Sequence, residues 1–87
     1  MYLHIGNEKM IKTDDVIGIF DLDTATIGNH TKNYLKKAEQ KGEVENVTNE
    51  LPKTFIVCNH GGKQRVYISQ ISSSTLNKRS FNINNNN

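Results

Sequence analysis

The longest apolar run in this chain is Val16-Ile17-Gly18-Ile19-Phe20, and its shortness sets the limits on what the chain can build. A membrane-spanning helix needs roughly 18 consecutive apolar residues, so none is predicted. A run this short and rich in β-branched residues, with Asp14 and Asp15 before it and Asp21 after it, reads as a central strand covered on both faces. Thr54-Phe55-Ile56-Val57-Cys58 is a second run of the same kind. With 87 residues in all, these runs form the heart of one small domain, and such a chain buries only about 60% of its unfolded surface.

The remaining segments assemble around these two strands. Tyr2 to Ile5 alternate, with Leu3 and Ile5 on one face, and Gly6-Asn7-Glu8-Lys9 is turn chemistry leading to a short return strand at Met10-Ile11-Lys12. Ile27, Thr31, Tyr34, Leu35 and Ala38 recur at helical spacing, which predicts a helix over about residues 29–41. Asn29 or Thr31 is expected to cap its start, and Gly42 its end. Val44 and Val47 suggest a further short strand. Asn59-His60-Gly61-Gly62-Lys63 is a hairpin signal, with residues 64–69 returning so that Val66 and Ile68 share one face and Arg65, Tyr67 and Ser69 the other. Ser72-Ser73-Ser74 supplies capping hydroxyls for a second helix over about 74–80, centred on Leu76. The expected class is α+β: a small, mostly antiparallel sheet of hairpins with two covering helices. The domain is expected over residues 1–81, with the Asn-rich stretch 82–87 left disordered because it has nothing to bury.

Charge divides the chain unevenly. Residues 1–50 hold all nine acids against six lysines, a balance of −3, while residues 51–87 hold Lys53, Lys63, Arg65, Lys78 and Arg79 with no acid, a balance of +5. Such asymmetry suggests an anionic partner for the surface that the second half forms, although a merely solvated face would look the same. Arg65 beside Tyr67 is the best interaction pair if their strand face meets solvent: a guanidinium pairs with phosphate and an aromatic ring stacks or packs. The alternative is that Tyr67 packs against the first helix and Arg65 is only solvated. Lys78-Arg79 lie on the second helix about 100° apart, so at most one faces a flat partner squarely.

Several chemistries lack their residues. The single Cys58 cannot close an intrachain disulfide, which suits a reducing compartment. The opening residues lack a basic segment followed by a long apolar core, so a cytoplasmic protein is expected. Cys58-Asn59-His60, with His4 and His30 elsewhere, does not give the paired spacing of a zinc site, so Cys58 reads as a small buried hydrophobe. Asp21-Leu22-Asp23 could hold a divalent cation, but follows directly on a strand, where turn-forming Asp is common. Serines 72–74 could gather a phosphate, yet capping explains them. No nucleophile elbow or phosphate-cradling glycine pattern exists. Neither enzyme activity nor a cofactor is expected.

The segments MYLHIG, VIGIFDLDTATI, YLKKAEQKGEV, LPKTFIV and VYISQISSSTLNKR occur here in order and cover most of the chain from Met1 to Ser80. Together they resemble the RemB-like branch of the RemA/RemB extracellular matrix regulatory family. The resemblance implies a small bacterial regulator of biofilm-matrix gene expression, with a core similar to LytTR-type DNA-binding domains. RemA-type relatives assemble as rings and bind DNA, and the DNA contact depends on an adjacent arginine pair before the strand matching residues 54–58 and another arginine near the start of the strand matching 16–20. Here the paired positions fall at about Leu51 and Pro52, with Lys53 next, and the earlier one near Asp14 or Asp15. Lys53, Lys63, Arg65, Lys78 and Arg79 are therefore offered as nucleic-acid contacts on charge grounds. The expectation is a homo-oligomer, as a ring in the manner of those relatives, that binds the DNA phosphate backbone. The alternative is an interaction module that co-assembles with a RemA-type partner protein without touching DNA.

Overall fold

In chain order the elements are β1 (Tyr2–Gly6), β2 (Lys9–Lys12), a short 3-10 turn (Thr13–Asp15), β3 (Val16–Asp21), α1 (Asn29–Gln40), β4 (Val44–Asn46), β5 (Thr54–His60), β6 (Lys63–Ser69) and α2 (Ser73–Asn85). The computed structural model describes residues 1–22 and 28–85, with side chains up to residue 80. Strands β1 and β2 form an antiparallel hairpin, and the other four make a sheet in the order β3-β5-β6-β4. In that sheet β3-β5 and β5-β6 are antiparallel, and β4 joins β6 in parallel. This is the expected α+β arrangement of mostly antiparallel strands with two helices.

The β5–β6 hairpin organises the core, because its strict alternation feeds two faces at once. Ile56, Cys58 and Tyr67 point to one side, where they meet Leu3, Ile5 and Ile11 of the β1–β2 hairpin, Val47, and Leu76 of α2. Phe55, Val57 and Val66 point to the other side, against Ala38, Tyr34 and Leu35 of α1. The first face is pinned by buried hydroxyls: Ser69 Oγ donates to Ile5 O at 2.6 Å and accepts from Ile71 N–H at 3.0 Å, while Thr54 Oγ1 donates to Ile71 O at 2.9 Å. Those bonds satisfy carbonyls that packing would otherwise strand. The hairpin turns at Gly61 and Gly62, whose φ values of 57° and 84° suit a tight two-residue turn.

Strand β3 departs from expectation. It is an edge strand, not a central one, since among the described residues it pairs with β5 alone. Val16 faces Cys58 but Gly18 faces Val57, so one extra residue is inserted between them. That bulge resets the alternation. Val16 and Ile19 both pack toward the hairpin face, while Ile17 and Phe20 line the side shared with α1. Phe20 stacks on Phe55 with centroids 5.0 Å apart, yet it stays 46% exposed and Ile17 66%. Gly18 makes room for this: a Cβ there would lie 2.6 Å from the Phe20 ring.

The helices also differ in detail. Helix α1 starts after Gly28 without any side-chain cap from Asn29 or Thr31. It ends as expected, with Gly42 at φ 71° and the Glu43 N–H bonded to Ala38 O at 2.9 Å. Ser72 caps α2, its Oγ accepting from Thr75 N–H at 3.2 Å. The helix then runs on to Asn85, past the predicted end near residue 80 and into the Asn-rich stretch expected to be disordered. Once a helix exists, each added residue contributes one more backbone bond, and Asn does not break it. Asn86 and Asn87, like Asp23 to Ile27, lie outside the described residues. The expectations for Asp23 and Ile27 therefore find no counterpart. No described helix is long and apolar enough to cross a membrane.

Candidate nucleic-acid interface

The five cations of the second half do not share one face. Lys53 precedes β5, its N–H bonded to Ser69 O and its carbonyl to Leu22 N–H, each at 2.8 Å. Arg65 stands opposite Cys58, and Lys63 opposite His60, toward the other end of β5. Five residues of strand separate Lys53 from the Cys58 level, about 17 Å at the usual rise. Lys53 and Arg65 therefore belong to opposite ends of the sheet. Lys78 and Arg79 are exposed on α2, where Arg79 Nη1 donates to His4 O at 3.1 Å and so ties the helix to β1.

Lys63 and Arg65 do come together, and two further cations join them. A cavity of about 360 Å³ lies between β2 and the turn end of the β5–β6 hairpin, lined by Tyr2, Lys9, Met10, Ile11, Lys12, Asp15, Cys58, His60, Lys63, Arg65 and Tyr67. Lys9 reaches Glu45 on β4 at 3.4 Å and sits 5.3 Å from the centre of the Tyr67 ring. Residues 13–15 then lead directly into β3, so β2 crosses the sheet from the β4 side to the β3 side. Lys9 and Lys12 of β2 thereby join Lys63 and Arg65 of β6 in one lining. Lys63 and Arg65 also border a second depression with Lys41, Gly42 and Glu43, so the start of β6 is a ridge between two hollows.

The charges in this cluster are unevenly engaged. Arg65 Nη1 donates to Gly42 O at 3.2 Å, which fixes the guanidinium without neutralising it. Lys12 and Lys63 form no ion pair among the described residues. Asp15, the single acid of the lining among the described residues, is held by His60 Nδ1 at 3.1 Å. Tyr67, read either as an exposed partner of Arg65 or as packed against the first helix, is instead buried under the β1–β2 hairpin, which covers that strand face. Burial raises its hydroxyl pKa, with Lys9 opposing the shift. Cys58 is buried too, as expected, and its thiol is pushed up to about 11, first by burial and then by Asp15. It is protonated at neutral pH and not a nucleophile. Among the described residues no group of His, Cys, Asp or Glu could hold a metal ion.

A family model described as "RemA-like: Extracellular matrix regulatory protein A-like" matches residues 2–80. The chain belongs to this family. It is 39% identical over 79 residues to extracellular matrix regulatory protein B of Bacillus subtilis (strain 168), which covers 91% of this chain and 89% of that protein. In this RemA-like chain the positions where the resemblance places arginines lie at opposite ends of the β3–β5 pair. Lys53 is at one end, and Asp15, bonded to His60, is at the other. Sequence reasoning missed Lys9 and Lys12, which sit in the acid-rich half and join Lys63 and Arg65 only because the hairpin folds over the sheet. The signal was the amphipathic β1–β2 pair itself, whose apolar face had to pack on something.

Proposed function

We propose that this RemA-like protein is a non-enzymatic transcriptional regulator of extracellular matrix genes that binds DNA as an oligomer through phosphate contacts. One observation carries the reading: Lys12, Lys63 and Arg65 gather with Lys9 at one end of the sheet, where Asp15, the one acid of the lining among the described residues, is engaged with His60. Cations grouped in this way release counterions from a DNA backbone. One copy neutralises few phosphates, so repetition of the cluster in an assembly supplies the affinity.

The test is a band shift on matrix-gene promoter DNA at two salt concentrations, with light scattering of the same samples. Lys63→Glu with Arg65→Glu is expected to abolish the shift while the mass of the assembly stays unchanged. Lys78→Glu on α2 is expected to matter much less. No shift by the wild type even at about 50 mM salt, where phosphate-led binding is strongest, would sink the DNA reading.

A second reading has its own support. The free β3 edge with exposed Ile17 and Phe20 fits strand addition by another chain. A module that co-assembles with a RemA-type partner and leaves DNA contact to it would use that edge alone.

A further inference from the structure

The cluster that serves the DNA reading is also a hollow, and duplex DNA does not fill hollows. The start of β6 is the ridge along one side of it, and a duplex, far wider than a small-molecule pocket, reaches only such an outer edge. The cavity behind that ridge holds about 360 Å³, within the range of small-molecule sites. Its walls offer Lys12 and Lys63 without acidic partners among the described residues, and Arg65 steadied by the Gly42 carbonyl at 3.2 Å. Tyr2 stands at the rim, 55% exposed. Converging cations beside an available aromatic ring are complementary to a phosphate chain with a flat base attached.

We propose that this cavity binds a nucleoside polyphosphate, with the phosphates on Lys12, Lys63 and Arg65 and the base against Tyr2. The hollow shares Lys12, Lys63 and Arg65 with the proposed DNA surface. If that separate reading holds, an occupied cavity draws those cations away from DNA, and the nucleotide lowers DNA affinity.

Binding is measured without DNA, by calorimetric titration of the wild-type protein with ATP, inorganic pyrophosphate and adenosine in metal-free buffer at about 50 mM salt, where phosphate contacts are strongest. ATP and pyrophosphate are expected to bind, and adenosine is not. Lys12→Ala with Lys63→Ala should weaken both anions by about tenfold or more, as the loss of charge-assisted contacts does. Tyr2→Ala should weaken ATP by about fivefold and leave pyrophosphate unchanged. Lys78→Ala, remote on α2, should change neither.

Failure of wild type to bind ATP or pyrophosphate overturns the proposal. So does equal weakening by Lys78→Ala, which would mean diffuse attraction to net charge. Displacement of bound ATP by a duplex oligonucleotide at a lower phosphate concentration than ATP itself would make DNA the occupant, and overturns it too. A failed band shift with ATP binding intact removes the DNA reading and leaves the nucleotide site standing.

Discussion

Strands β3 and β5 pair with each other along most of their length, yet they meet opposite fates. β5 has a neighbour on each edge, and its two faces feed two separate clusters. Ile56 is fully buried as a result. β3 has one neighbour, a bulge at Ile17, and two large apolar residues in water. An apolar run shows where a strand is, while the number of its neighbours decides what the strand does. In this molecule β5 holds the fold, and β3 is left available for contact.

The largest effect expected from that contrast is at Ile56. Ile56→Ala should destabilise the domain by about 2–5 kcal/mol, because removal of three carbons opens a cavity that sheet, hairpin and α2 cannot all close upon. Urea unfolding checks this. A cost under about 1 kcal/mol would mean that β5 is not the centre of the core.

Cys58, on the same strand and face, gives a pH test of burial. Its folded pKa is raised from 9.0 to about 11, so the folded state keeps a proton that the unfolded chain releases. Stability from this group is intact below pH 9 and is lost as the pH rises from there toward 11. The slope approaches about 1.4 kcal/mol per unit at most. Tyr67 and Tyr34 are shifted upward too, so the measurement is the difference between wild type and Cys58→Ala across that window. Parallel curves for the two proteins would show that the thiol is more open to water than its packing indicates.

Ile19 lies between the two extremes. In a central strand, as the apolar run alone suggests, Ile19→Ala would cost about 2–5 kcal/mol, the same as Ile56→Ala. On the edge strand, packed against the hairpin face but only partly buried, Ile19→Ala should cost about 1–2 kcal/mol, since less apolar area returns to water. A loss equal to that of Ile56→Ala would restore β3 to the core.

These strands show how far the residues alone carry. Both runs, the β5–β6 hairpin with its glycine turn, α1 with its Gly42 end and the start of α2 follow from local patterns of periodicity and turn chemistry. Strand order does not, because nothing local to Val16–Asp21 says how many neighbours it will have. Nor does the bulge, which depends on how β3 meets β5. The site is less legible still. Lys63 and Arg65 were readable as cations on a return strand, but their companions Lys9 and Lys12 sit about 50 residues away in an acidic half. The Asp15–His60 pair joins residues 45 apart. That Tyr67 packs under the β1–β2 hairpin and not against the first helix is hidden for the same reason: covering its face is a tertiary event.

The smallest effect on the fold, and the most telling, is expected at Ile17. With this side chain 66% exposed on the bulge, Ile17→Lys removes little packing, so the isolated domain should change by no more than about 0.5 kcal/mol. A lysine on a free edge also opposes strand addition. If copies meet through β3, the variant should shift toward the 9.9 kDa chain mass in light scattering, while wild type stays larger at micromolar concentration. Its melting temperature should then fall below that of wild type only where wild type is assembled, because association stabilises by mass action and fades on dilution. A deficit that persists at every dilution would instead mean that Ile17 packs within its own chain, and β3 would not be the open edge. An unchanged mass with an unchanged melting temperature would move the contact between copies away from β3, to the β4 edge or the helices.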